Sequence, residues 1–332
     1  MVKNIDIKDA KILVELDRDA RQSNMQIGRR VGLSKEVVKY RIDNMVERGV
    51  ILRFHTVVNY FRLGMIKFKL YLRLTNASKE KMEEIAEYFH RHNKTEWVVL
   101  TTGRWDVISG FIVNNVNEFD DEVQAVLQKF AQHIQEKAIT TTLYLAHQTR
   151  EFLKTSKTGV PRVVHHTTKD RQEHIDSIDK EILRLIVNNA RMPIVEMARR
   201  IHVTPRIVQY RIREMEKKKI ILAYKAHVDP RKMGKVFGKM IVYLANVNKE
   251  RLHKFISYAS LMPGAVWPQR VLGDWDFELD VEVADYDSFQ QIIAKLKEEF
   301  PDIIKDHDFC MVSREYKLDL LSDVYPQFSG ND

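Results

Sequence analysis

The sequence predicts an α+β protein of two tandem units, each a winged helix-turn-helix followed by a ferredoxin-like βαββαβ domain. Three observations carry this reading: a long internal repeat in constant register, a three-helix apolar pattern opening each copy, and strictly alternating strands in the second half of each copy.

The repeat has an offset of 170 residues. Asp9 with Ile12-Leu13 returns as Asp179 with Ile182-Leu183, Ala20-Arg21 as Ala190-Arg191, Tyr40-Arg41-Ile42 as Tyr210-Arg211-Ile212, and Gly64 as Gly234. Gly103-x-Trp105-Asp106 meets Gly273-x-Trp275-Asp276, and Phe119 and Phe130 meet Phe289 and Phe300 without a gap. The expected domains are a first helix-turn-helix over residues 1–60 and a first ferredoxin-like domain over 61–150. A linker follows at 151–174, then a second helix-turn-helix at 175–230, a second ferredoxin-like domain at 231–318 and a tail at 319–332.

Residues 6–18 place Ile12, Leu13 and Leu16 on one helical face, and Asn24 is a suitable cap for a short second helix carrying Ile27 and Val31. Gly32-Leu33 turns the chain. Ser34 then caps a third helix whose inward stripe is Val38, Ile42 and Met45. In copy two, Thr204 is the cap, Pro205 occupies the first helical position, and Val208, Ile212 and Met215 point inward. The apolar-basic run Val50-Ile51-Leu52-Arg53-Phe54 reads as a wing.

The segment IKFKLYLRL at 66–74 alternates apolar with basic or polar residues, and WDFELDVEV at 275–283 alternates apolar with acidic ones. Each reads as a strand with one buried face. Helices near 78–92, 117–132, 248–260 and 286–299, with strands near 96–102, 105–113 and 136–145, complete the βαββαβ order. A four-stranded sheet with helices on one face leaves the other to be covered, so the two sheets are expected to pair within the chain as a pseudo-dimer. The stretch at 154–174, with Gly159, Pro161, Ser and Thr but no apolar period, reads as a tether. Its Lys154, Lys157, Arg162, Lys169 and Arg171 face solvent or touch phosphate.

Fifty-four Lys and Arg against 46 Asp and Glu leave a net charge of +8, which favours polyanionic partners. A single cysteine, Cys310, excludes an internal disulfide and a thiolate metal cluster. Charges run through the first twenty residues and no run of about 18 apolar residues occurs, so a cytoplasmic protein with no membrane partner is expected. The histidines do not converge: His165-His166 lies in the tether, and His90 and His92 are two apart on a helix. With no Gly-rich phosphate loop and no nucleophile elbow, neither cofactor nor metal is expected.

A recognition helix in the major groove presents its outward residues to bases and phosphates. Copy two offers Arg206, Gln209 and Arg213, with Thr204, Tyr210 and Arg211 beside them. Copy one offers Ser34, Lys35, Lys39, Tyr40 and Arg41, but sets Glu36 and Asp43 on the same helix, so the two copies are expected to bind double-stranded DNA unequally. A bare three-helix core without DNA contact is the alternative for such a module.

The segments IGRRVGLSKEVVKYRI, GVILRFHTVVNYFRLG and GDWD, in this order, resemble the Lrp/AsnC regulators over nearly the whole chain, twice. The resemblance implies RAM-type sensing domains that pair through their sheets, leave room for further homo-oligomers, and bind small effectors, commonly amino acids, beside the Gly-Asp turn. Carried onto this sequence it points to Gly273, Asp274 and Asp276, and to Gly103, Arg104 and Asp106, where Arg104 replaces a carboxylate and favours an anion. Read without the resemblance, these are tight turns. One copy per chain is usual in that family, so the fused pair is a departure.

Sirohaem decarboxylases are similar to this family and include fused two-copy chains. Their His/Tyr/Arg-rich strand has no match in Trp97–Thr102 or Trp267–Leu272, which hold no histidine and the single Arg270. An architectural DNA-coating protein is the third reading, separable only by sequence preference.

Overall fold

The computed structural model describes residues 5–154 and 162–318; the tail at 319–332 and tether residues 155–161 lie outside them. Copy one runs α1 (Ile7–Arg18), α2 (Asn24–Val31), α3 (Lys35–Glu47), β1 (Ile51–Val58), β2 (Ile66–Leu74), α4 (Lys79–Arg91), β3 (Thr95–Gly103), β4 (Val107–Val113), α5 (Val116–Phe130) and β5 (Ile134–Gln148). After β6 (Val163–Thr167), copy two follows with α6 (Ser177–Ile186), α7 (Ile194–Arg200), α8 (Pro205–Lys217), β7 (Ile221–Val228), β8 (Val236–Leu244), α9 (Lys249–Ser260), β9 (Ala265–Gly273), β10 (Phe277–Val283), α10 (Tyr286–Glu299) and β11 (Ile304–Leu318).

Local chemistry sets the helix ends. Asp6 and Asp9 form a reciprocal capping box on α1, as Asp176 and Asp179 do on α6. Ser34 and Thr204 cap α3 and α8. The cap of α2 is Ser23 and not Asn24, because Ser23 pairs with Gln26 in a capping box that places Asn24 one position inside the helix.

Strands β2, β3, β4 and β5 form one ferredoxin-like sheet in the order β5-β2-β4-β3, and copy two repeats it as β11-β8-β10-β9. The 15-residue strands β5 and β11 join the two sheets. β5 pairs first with β2 and then, through Thr140–Leu145, with β9; β11 pairs first with β8 and then with β3. The eight strands therefore close into a ring, which removes both sheets' free edges.

Closure changes what alternation means here. The apolar faces of β2 and β10 pack under α4 and α5, and under α9 and α10, as expected. The opposite faces are not solvated: Lys67, Lys69, Tyr71, Glu278, Asp280 and Glu282 are all buried between the sheets. The reading of one buried face per strand is thus corrected. The inward charges tolerate burial because they neutralise one another across the two copies. Lys69 Nζ lies 2.5 Å from Glu278, while Lys239 lies 2.9 Å from Glu278 and 2.7 Å from Asp280. Gln269 accepts from Lys69 and donates to Asp280, and Trp275 Nε1 donates to Glu278.

The wings also exchange. β1 and β7 pair with each other in a two-stranded antiparallel sheet, so each helix-turn-helix core is completed by residues of the other copy. Ala226, Val228 and Met233 fill the first core, and Val58, Tyr60 and Phe61 the second.

The tether is shorter than expected, because Val163–Thr167 pair with Tyr144–Gln148 as the last strand of the sheet. This buries His166 against Tyr60 and Phe61. Among the described residues no helix is long and apolar enough to cross a membrane.

Two outcomes follow. Gly273 has φ +150°, and a Cβ there would sit 2.2 Å from the Ile139 carbonyl oxygen; Gly49 has φ +68° and open space. Gly273→Ala is expected to destabilise by about 3 kcal/mol or more and Gly49→Ala by about 1, measured by urea unfolding. Burial, reinforced by the Lys67 and His165 charges, pushes the His166 imidazole down to about 3. Between that value and the ordinary histidine range the unfolded chain binds a proton that the folded chain refuses, so acidification favours unfolding. From pH 7 to pH 5 this group removes about 2 kcal/mol. His166→Phe should lose that much less stability over the same interval; an unchanged acid slope would contradict the assignment.

Candidate nucleic-acid interface

Each recognition helix presents one buried stripe and one exposed face. Val38, Ile42 and Met45, and Val208, Ile212 and Met215, pack inward. Ser34, Lys35, Lys39 and Tyr40 are exposed, as are Thr204, Arg206, Gln209, Tyr210 and Arg213. Tyr40 and Tyr210 are 69% and 61% exposed.

Arg41 and Arg211, expected among the DNA contacts, turn back to the first helix of each module. Arg41 lies 2.7 Å from both Asp6 and Asp9, and Arg211 lies 2.7 Å from Asp176 and 3.6 Å from Asp179. Each guanidinium ties the recognition helix to the capping box of the first helix. It orients the module instead of reaching outward.

The two outward faces differ in charge. On α3, Lys39 is paired with Asp43 at 2.5 Å and Lys35 lies 3.8 Å from Glu36, so the three basic residues of the helix meet three acidic ones. On α8, four basic residues meet two acidic ones, and Arg206 and Arg213 make no ion pair among the described residues. Lys217, Lys218 and Lys219 continue the basic surface at its end, where copy one has Glu47, Arg48 and Gly49.

The two modules are held in one arrangement. Arg21 donates to the Ala190 carbonyl at 2.6 Å, and its repeat partner Arg191 donates to the Ala20 carbonyl at 2.7 Å and to Asn24 at 2.9 Å. Beneath them Arg150 makes a two-pronged bridge to Glu282 at 2.8 Å and reaches Asp17 of α1 at 3.1 Å, and Lys225 meets the same Asp17 at 3.0 Å. This buried node links the helix-turn-helix layer to the sheets. Sequence reading missed it, because Asp17 sits in a charged helical stretch and Glu282 in a strand face taken to be solvated.

The Gly-Asp turns are engaged in the fold. Asp106 and Asp276 accept from the backbone of Leu74 and Leu244, and Asp274 accepts from Ile139. Arg104 forks onto Glu136 and lies over the Trp105 ring. Gly103 and Gly273 lie against the carbonyls of Phe309 and Ile139, where the other copy's long strand crosses.

An AsnC-type helix-turn-helix domain matches residues 5–46 and again residues 175–216. The HTH-type transcriptional regulator LrpB of Bacillus subtilis is 32% identical over 156 residues, covering 45% of this chain and 98% of its own length. The chain belongs to the Lrp/AsnC family. An uncharacterised HTH-type regulator of Pyrococcus horikoshii is 31% identical over 36% of this chain and 79% of its own, and a proline dehydrogenase transcriptional activator of Rhodobacter capsulatus is 27% identical over 39% and 84%. Each spans about one copy of this Lrp/AsnC chain. Over both copies, the solved siroheme decarboxylase NirDL superposes with a TM-score of 0.63, covering 97% of each chain at 12% identity, which is a likeness of fold.

Replacing Arg191 by Met removes donors to Ala20 and Asn24 and leaves the buried Ala20 carbonyl unpaired. The expected loss is about 1 to 3 kcal/mol in urea unfolding, against a change within about 0.5 for the exposed Arg199→Met.

Proposed function

We propose that this chain is a sequence-specific, DNA-binding transcription regulator that reads its site unequally, with α8 as the principal reader and α3 as the weaker one. The observation that carries this is the exposed face of Arg206, Gln209, Tyr210 and Arg213, held on a family-matched helix-turn-helix by Arg211 and by the reciprocal Arg21 and Arg191 bonds. Arg206 and Arg213 suit guanine edges or phosphates, Gln209 suits adenine, and the Tyr210 ring suits an apolar base edge. Ser34, Lys35, Lys39 and Tyr40 make the second, weaker contact, with half-sites about 34 Å apart as a symmetric dimer would space them.

Response to a small effector belongs to the same proposal. The buried node of Arg150, Lys225, Asp17 and Glu282 supports it, since a shift between the sheets would be felt at α1. The proposed effector contacts are the Gly-Asp turns, Gly103, Arg104 and Asp106 in copy one and Gly273, Asp274 and Asp276 in copy two, with Arg104 favouring an anion.

The test is fluorescence anisotropy on duplex from the gene's own upstream region and on a scrambled duplex, over a salt series. The natural duplex should keep its preference as salt rises. Arg206→Met or Arg213→Met should weaken binding about 10-fold or more, whereas Lys39→Met, already paired with Asp43, should change it less than about 3-fold. Equal binding to both duplexes that vanishes with salt would mean architectural coating. No binding would overturn the regulator reading and make tetrapyrrole decarboxylation the next assay.

A further inference from the structure

Strands β5 and β6 extend the sheet of copy two past β9, on the side where α9 lies. Register fixes what they present there. Tyr144 stands opposite Arg270 of β9 and opposite Thr167 of β6, and His165 stands opposite Ala146, two residues along from Tyr144. Arg270, Tyr144, Thr167 and His165 therefore share one face, and the Tyr144 and His165 rings meet on it at 5.4 Å. Their neighbours point the other way: Gln269 joins the buried charges between the sheets, and His166 packs on Tyr60 and Phe61.

Helix α9 sinks Phe255 and Ala259 into the core and sets a stripe of Leu252, His253, Ile256 and Ser257 beside the added strands. Between stripe and strands runs a groove of about 410 Å³, closed at one end by Thr168 and Lys169 of the turn after β6. That volume is in the range of small-molecule sites, about 300 to 1,000 Å³. Its charge is one-sided. Arg270, Lys169, His165 and His253 all line it and are exposed, none makes an ion pair among the described residues, and no carboxylate stands among its described walls. Copy one treats the same place differently. The repeat matches of His253, Ser257, Arg270 and Tyr144 are Glu83, Glu87, Leu100 and Arg314, with Glu83 lying 3.6 Å from Arg314. There the charges cancel; here two carboxylates are gone and an arginine is added.

We propose that this groove binds a nucleoside monophosphate, with Arg270, Lys169 and His253 taking the phosphate and the Tyr144 ring, with Leu252 and Ile256, taking the base. A guanidinium and an ammonium without carboxylate competitors suit a dianionic phosphate, and an aromatic ring between apolar side chains suits a planar partner. The ligand is a small molecule and not the DNA backbone, because the groove opens on the face of β6 opposite the one that packs on Tyr60 and Phe61 of the second helix-turn-helix core. An occupant would still reach that core through β6 and His166. That consequence rests on the regulator reading, while the binding itself does not.

Isothermal titration calorimetry of the full chain with each of the four nucleoside 5′-monophosphates, at constant ionic strength, tests it. At least one should saturate a single site with a dissociation constant between ~10 μM and ~1 mM. The matching nucleoside, without the charge, and inorganic phosphate, without the base, should each bind at least about 10-fold more weakly. Arg270→Gln should weaken the nucleotide about 10-fold or more. Lys254→Gln, on the same helix but outside the groove and paired with Glu250 at 2.8 Å, should change it less than about 2-fold. Both positions are exposed, so neither change threatens the fold. No saturable heat with any of the four overturns the site, and phosphate or nucleoside binding as tightly as the nucleotide overturns the class. Loss of nucleotide binding in Arg206→Met and not in Arg270→Gln would put the ligand on the recognition helix and overturn the assignment. Nucleotide binding, lost in Arg270→Gln, by a protein that ignores DNA would keep the groove and remove the regulator.

Discussion

The structure depends on the buried charge cluster at the centre of the strand ring. Lys69 of copy one and Lys239, Glu278 and Asp280 of copy two are buried between the sheets, held by one another and by Gln269 and Trp275. Removing one member of such a group strands an uncompensated charge, at about 3 to 5 kcal/mol, so the cluster specifies which surfaces of the two copies meet. Lys69 is itself pushed down to about 8 by burial, with Glu278 opposing the shift. The carboxylates of Glu278 and Asp280 favour its charged form.

From this centre the rest is assembled by exchange. The long strands β5 and β11 leave their own sheets to pair with the other, the wings β1 and β7 pair across copies, and each helix-turn-helix core takes apolar residues from the opposite half. The two halves are consequently not two domains on a string. A change of packing between the sheets has a direct path to the first helix through Arg150, Lys225 and Asp17. Duplication in one chain also released the copies from symmetry. That freedom is visible in the charge contrast between α3 and α8.

Much of this was legible beforehand. The 170-residue register, the inward stripes on α3 and α8, the caps Ser34 and Thr204 and the βαββαβ order are local patterns, and local patterns survive folding. What was not legible depends on the partner surface. Alternation in IKFKLYLRL and WDFELDVEV marks two faces but does not say that the charged one is buried, since that requires knowing that lysines of one copy meet carboxylates of the other. Tyr40-Arg41-Ile42 announces a recognition helix but not that Arg41 turns back to Asp6 and Asp9. His166 carries no signal in one dimension; its burial against Tyr60 and Phe61 shows only once β6 pairs with β5.

The central claim is that one chain acts as an asymmetric pseudo-dimer on DNA, and base-resolution protection of the upstream duplex tests it most directly. The account predicts two protected major-groove segments about one helical turn apart. The stronger is lost in an Arg206→Met, Arg213→Met double variant and the weaker is retained in part. Protection of a single groove's width, or equal loss of both segments in that variant, would contradict it.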